Sequence, residues 1–145
     1  MLAHGTRALL SIAVVSILCI TTASESYAMM GIKPVSQKLA KALGIEVRTK
    51  ANGPGQIWVT LEFKPEGEFK QFDYVSLEIG EGKELLLGYA PLQAQRTKSG
   101  KVVCTFLANR TYLEKVTLRI VAGPPLNKTG YDLQLNKFLD LKKTP

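Results

Sequence analysis

Hydrophobic and polar residues alternate strictly through "QIWVTLEFK", residues 56–64. Ile57, Val59, Leu61 and Phe63 fall on one side, and Trp58, Thr60, Glu62 and Lys64 on the other, the period-two signature of a strand with one buried face. The same alternation recurs in "FDYVSLEIG", with Val75, Leu77 and Ile79 inward and Tyr74, Ser76 and Glu78 outward. It returns in "VTLRIVA", with Val116, Leu118 and Ile120 inward, and in "YDLQLNKFLDL", with Tyr131, Leu133 and Leu135 on one face. Phe138, Leu139 and Leu141 break that last register, which implies a bulge. "VVCTFLA" is apolar on both sides, as a central or covered strand would be. "IEVRTKA" and "ELLLGYAPLQAQ" complete about seven strands, and Pro91 marks an interruption or an edge in the latter.

Short polar or glycine-containing stretches separate these runs: "NGPG", "PEGEFKQ", "EGK", "RTKSGK" and "GPPLNKTG". "NRTYLEK" is a short connection with room for one helical turn. Strands with one polar face and tight connections imply mostly antiparallel pairing. The predicted fold is an all-β, antiparallel two-sheet sandwich of immunoglobulin-like architecture, and a small closed β-barrel is the alternative. The Cys…Trp…Cys signature of antibody-type domains is absent, so the comparison concerns architecture only.

One helical segment precedes the strands. In "GIKPVSQKLAKALGIEV", Val35, Leu39 and Leu43 recur every four residues, with Ala40 and Ala42 alongside and Pro34 and Gly44 as punctuation. Two to three turns are too short to persist alone, so the stripe needs a surface. The outward face of the "QIWVTLEFK" strand is the expected one, which would bury Trp58 under the helix. The competing reading leaves Trp58 exposed as a binding residue.

Before the helix, "MLAHGTR" is a short basic lead, residues 8–20 form an uncharged apolar run, and Ser26 and Ala28 precede a cleavage point. This is the layout of a secretory signal peptide over 1–28, and it implies export to a periplasmic or extracellular space. The run falls short of the ~20 residues of a spanning helix, so no integral membrane span is expected after cleavage. Leu18 stands where lipidation of Cys19 would call for a small residue. The expected organisation is then an N-terminal segment with a short helix at 29–44, the β-sandwich at 45–141 and a flexible tail at 142–145.

Cleavage removes His4, the only histidine, and leaves Cys104 as the only cysteine. No internal disulfide, Ser-His-Asp or Cys-His arrangement, or zinc site can then be assembled. Cys104 is expected to be a buried apolar residue. The Gly-x-Gly pairs in "NGPGQ" and "IGEGKELLLG" lie at hairpin turns and match no phosphate-binding fingerprint. No motif calls for a cofactor or a metal. Asn109-Arg110-Thr111 and Asn127-Lys128-Thr129 are sequons in predicted loops.

The formal charge of +7 is the remaining global feature. It fits contact with polyanions such as acidic polysaccharide, nucleic acid or an anionic membrane surface, and Arg96, Lys98 and Lys101 around one turn are the candidate contacts. The basic residues are otherwise scattered among acids. The leading expectation is a non-enzymatic, exported interaction domain that binds a protein or envelope component, with Trp58 and Tyr74 as candidate anchors.

Overall fold

A computed structural model describes residues 30–81 and 85–140; the proposed signal peptide and the 142–145 tail lie outside the described residues. Among the described residues nine strands form two sheets. One holds β1 (Gly31–Pro34), β9 (Thr129–Gln134), β8 (Val116–Ala122), β4 (Phe72–Glu81) and β5 (Leu85–Leu92), in that order. The other holds β2 (Glu46–Ala51), β3 (Gln56–Phe63), β7 (Val102–Asn109) and β6 (Ala94–Arg96). Every pairing is antiparallel except β1 with β9. The sheets do not close into a barrel. Lettered from β2 onward, β2-β3-β7-β6 against β9-β8-β4-β5 is the A-B-E-D and G-F-C-C′ order of an immunoglobulin-type sandwich.

The alternating strands bury the faces their patterns require. Ile57, Val59, Leu61 and Phe63 from β3 meet Val75 from β4, Leu118 and Ile120 from β8, and Leu133 from β9 in one core. Each fully buried side chain of this size contributes about 1.5–3 kcal/mol of transfer free energy. Antibody-type domains use a disulfide between the sheets; here hydrocarbon fills that space, with Cys104 buried as a free thiol on β7.

Two additional strands have plain causes. "GIKP", expected only to lead into the helix, pairs in parallel with β9 from Gly31↔Thr129 to Pro34↔Asp132. The long run "ELLLGYAPLQAQ" divides just after Pro91, with β5 in one sheet and β6 in the other. The segment after β9 also differs from expectation, with Leu141 outside the described residues. Instead of bulging, β9 stops at Gln134 and a 3-10 turn, Leu135–Lys137, carries Leu135 into the core.

The "PEGEFKQ" segment is less polar in effect than in composition. Its 3-10 turn, Gly67–Phe69, drives Phe69 into the core. There its ring stands edge-on to Phe63 at 5.1 Å and to Tyr131 at 5.0 Å. Such pairs add about 0.5–1.5 kcal/mol beyond simple burial. The "NRTYLEK" segment likewise forms a 3-10 turn, Arg110–Lys115, which buries Leu113.

Helix α1 (Gln37–Ala42) starts at Ser36, whose hydroxyl accepts from the Leu39 amide at 3.2 Å. Its position corrects the expectation that it would cover Trp58. Val35 and Ala40 join the main core, and Leu39 and Leu43 pack against it. The reason is connectivity. The helix follows directly from β1, Val35 still donates its amide to Asp132, and the chain must then cross to β2 in the opposite sheet. Gly44, at φ +66°, makes the turn into β2. The apolar stripe therefore packs into the core between the sheets and does not cover the outside of the four-stranded sheet.

Candidate functional site

The outward face of the four-stranded sheet is built in cross-strand rows. Trp58 on β3 is flanked by Lys50 on β2 and Leu107 on β7. The next row is Arg48, Thr60 and Thr105, and the one after it Glu46, Glu62 and Val103. Trp58 remains 39% exposed and Leu107 43% exposed, side by side on the outer face of the sheet. Large apolar side chains placed together outward are the informative exception on a protein surface.

The polar part of this face is internally tied. The Thr60 and Thr105 hydroxyls are 3.1 Å apart and hydrogen-bonded. Glu62 accepts from Arg48 at 3.0 Å and also from the Lys101 ammonium, while Arg48 reaches Glu46 at 2.9 Å. The Lys101 hydrogen bond, opposed by partial burial and aided by the charges of Lys101 and Arg48, holds the Glu62 carboxyl below the ordinary carboxylate range. The same contact raises the Lys101 ammonium above its usual value. Lys50 stands beside the indole at the apolar end.

The outward face of the five-stranded sheet has a different character. Arg119 on β8 lies in register between Ser76 on β4 and Asp132 on β9. Its guanidinium grips Asp132 through two bonds of 2.6 and 2.9 Å and donates to Glu78 at 2.6 Å. The fork geometry matches a carboxylate, and the side chains are only 17–20% exposed. Tyr74 and Tyr89 rise from the same face. Burial, with the Tyr89 hydroxyl and the Asp73 carboxylate close by, holds the Tyr74 phenol above its ordinary value. The Ser76 hydroxyl is buried beneath these larger groups without a protein hydrogen-bond partner.

The sequence candidates thus divide between surfaces. Trp58 and Tyr74 are both at the surface but on different sheets, hence on opposite outer faces of the sandwich. Arg96 and Lys98 are exposed around the β6–β7 turn, where Gly100 adopts φ +80° and Thr97 bonds back to Lys101. Lys101 leaves that cluster to pair with Glu62 and becomes part of the Trp58 face. The two-sided apolar pattern of "VVCTFLA" reads as a central or covered strand and does not single out Leu107, the other half of the apolar pair. That strand is central in its sheet, yet only its inner face, Val102, Cys104 and Phe106, is buried. Its two-sided apolar pattern was the available signal.

Elsewhere the chemistry is sparse. Burial pushes the Cys104 thiol up to about 11, which suppresses its thiolate. Among the described residues no group of three or more His, Cys, Asp or Glu could hold a metal ion, and no helix is long and apolar enough to cross a membrane. Two open grooves of about 260 and 470 Å³ flank α1, the first against Ile45 and Phe138 and the second against Pro34 and Lys137. They share Gln37, whose amide donates to the Lys137 carbonyl at 2.6 Å, a contact that holds helix and C-terminal turn together.

The described residues therefore form a β-sandwich with two chemically distinct sheet faces. No protein-family model, curated protein or solved structure matches the chain.

Proposed function

We propose that this chain is an exported, non-enzymatic binding module that engages a protein or envelope component through the outer face of its four-stranded sheet. The observation that carries this reading is the exposed Trp58–Leu107 pair. An apolar aromatic centre surrounded by polar and charged residues has the anatomy of a protein contact surface, and tryptophan is among the residues that dominate binding energy. Lys50 at its border favours a partner that presents an acid beside an apolar group.

Affinity capture from the protein's own envelope or culture fluid tests this, with wild type compared against a Trp58→Ala/Leu107→Thr double variant. A partner retained by wild type and by Tyr74→Ala, but lost from the double variant, supports the reading. Equal retention by the double variant overturns it.

Polyanion binding through charge is the second reading, favoured by the +7 balance and by the exposed Arg96 and Lys98. Pairing of Arg48 and Lys101 with Glu62 removes part of the basic capacity nearby. Retention on heparin resin that falls steeply with salt and weakens in Arg96→Ala/Lys98→Ala would favour it. No retention at low salt would exclude it.

A further inference from the structure

Three connections meet at one end of the sandwich. Phe63, the last residue of β3, stands edge-on to Phe72, the first of β4, at 5.3 Å, and the 64–71 connection joins them there. Phe63 is also in register with Val102, and Val102 with Arg96, so the 97–101 turn lies beside it. Phe72 is in register with Ala122, and the Gly123 amide donates to the Gln71 carbonyl at 2.9 Å. That contact brings the 123–128 loop to the same end.

The 123–128 loop carries apolar residues where a turn ordinarily carries polar ones. The Asn127 amide donates to the Pro124 carbonyl at 2.9 Å, which leaves Pro125 and Leu126 as the two central residues of a β-turn. Proline suits the first of those positions. Leucine at the second is 88% exposed, more than any other large hydrophobic residue among those described. The turn is also firmly built. At its base Gly123 adopts φ +122°, and a Cβ there would come within 2.7 Å of the Asn127 carbonyl oxygen. At its far side Lys128 pairs with Asp73 on β4. An apolar tip held in this way loses little freedom when it enters another phase.

Cations share that end. Lys64 and Lys70 stand on the 64–71 connection, and Arg96 and Lys98 at the 97–101 turn. All four are exposed and have no ion pair among the described residues. Of the acids on these connections, Glu68 faces Lys33, which leaves Glu66 alone against them. We infer that this end of the sandwich docks on an anionic bilayer surface, with Leu126 entering the boundary between headgroups and acyl chains and the four cations meeting headgroup phosphates. An apolar tip among unpaired cations matches both parts of such a surface, the acyl boundary and the negative potential above it. The inference rests on the charge-driven reading for its cations and adds Leu126, for which a soluble polyanion has no use. Trp58 stands on a sheet face, away from these connections, so its own surface stays free.

Co-sedimentation with vesicles tests the inference, using phosphatidylcholine alone and phosphatidylcholine mixed with phosphatidylglycerol. Wild type is expected to sediment with the anionic vesicles at low salt, to leave them as salt rises, and to ignore the neutral ones. Leu126→Ser is expected to weaken vesicle binding by ~10-fold, with an unchanged thermal melt and unchanged retention on heparin. Lys70→Ala/Lys98→Ala is expected to weaken it by ~10-fold or more, and Trp58→Ala to leave it intact. A polarity-sensitive dye attached to Leu126→Cys, with the buried Cys104 unlabelled, is expected to shift to the blue on anionic vesicles. No binding to anionic vesicles at low salt overturns the inference, and heparin retention in that case leaves the charge-driven reading standing. Binding that Leu126→Ser leaves equally tight, or a dye that stays in water on bound protein, also overturns it.

Discussion

Trp58 and Leu107 stand directly opposite each other on β3 and β7, pointing away from the core that their immediate neighbours fill. Val59 and Phe106, the next pair along the same strands, are buried. One step in register thus separates a residue that holds the sheets together from one that faces water. The two rows should respond to mutation in opposite ways.

Trp58→Ala and Leu107→Thr should each cost about 1 kcal/mol of stability or less, because both side chains are already partly hydrated. Leu61→Ala, on the inner side of the same strand, should cost about 2–5 kcal/mol through lost burial and a cavity. Urea unfolding of the three variants checks the contrast. A large loss in the Trp58 variant would show that the indole is a packing residue.

Acid should weaken the fold partly through Glu62. Its carboxyl is held below the ordinary carboxylate range, chiefly by Lys101, so its stabilisation is present above the unfolded value. That contribution is lost as pH falls through the folded value. The raised Lys101 ammonium acts at the other limb: its contribution holds below the unfolded lysine value and is lost as pH rises through the folded one. Thermal melts between about pH 3 and 7 should fall at the acid end for wild type and flatten in Glu62→Gln. Parallel curves would show that the contact contributes nothing.

Asp132→Asn should cost about 1–3 kcal/mol, since it weakens a two-bond carboxylate grip and leaves Arg119 half-buried with Glu78 as its remaining charge partner. In a double-mutant cycle with Arg119→Gln, the two losses should be less than additive. Full additivity would mean that the pair is not energetically coupled.

Cys104 should resist thiol reagents in the native protein. Its burial and its thiol value of about 11 leave almost no accessible thiolate at neutral pH. Peptide mapping after alkylation should find residue 104 unmodified until denaturant is added. Rapid native labelling would contradict the position assigned to this side chain.

Much of the fold was legible because alternation is a direct consequence of pleated geometry. Ile57 to Phe63, Val116 to Ile120 and Tyr131 to Leu135 all bury the sides their patterns required. Long-range choices were less visible. Nothing local in "GIKP" reveals a parallel partner almost a hundred residues away, and nothing local in "QKLAKA" chooses between the outside of a sheet and the end of a core. Trp58 was identifiable as outward from parity alone. Leu107 was not, because a strand apolar on both sides is compatible with a covering layer, and the helix expected to supply one is drawn to the core by its tether to β1.

Trp58 is the chain's only tryptophan, so its fluorescence reports directly on the proposed contact surface. Titration with the captured partner should shift its emission to the blue and reduce quenching by acrylamide, as the half-exposed indole is covered. A partner that binds stoichiometrically while the emission and quenching of Trp58 stay unchanged would contradict the assignment of this face.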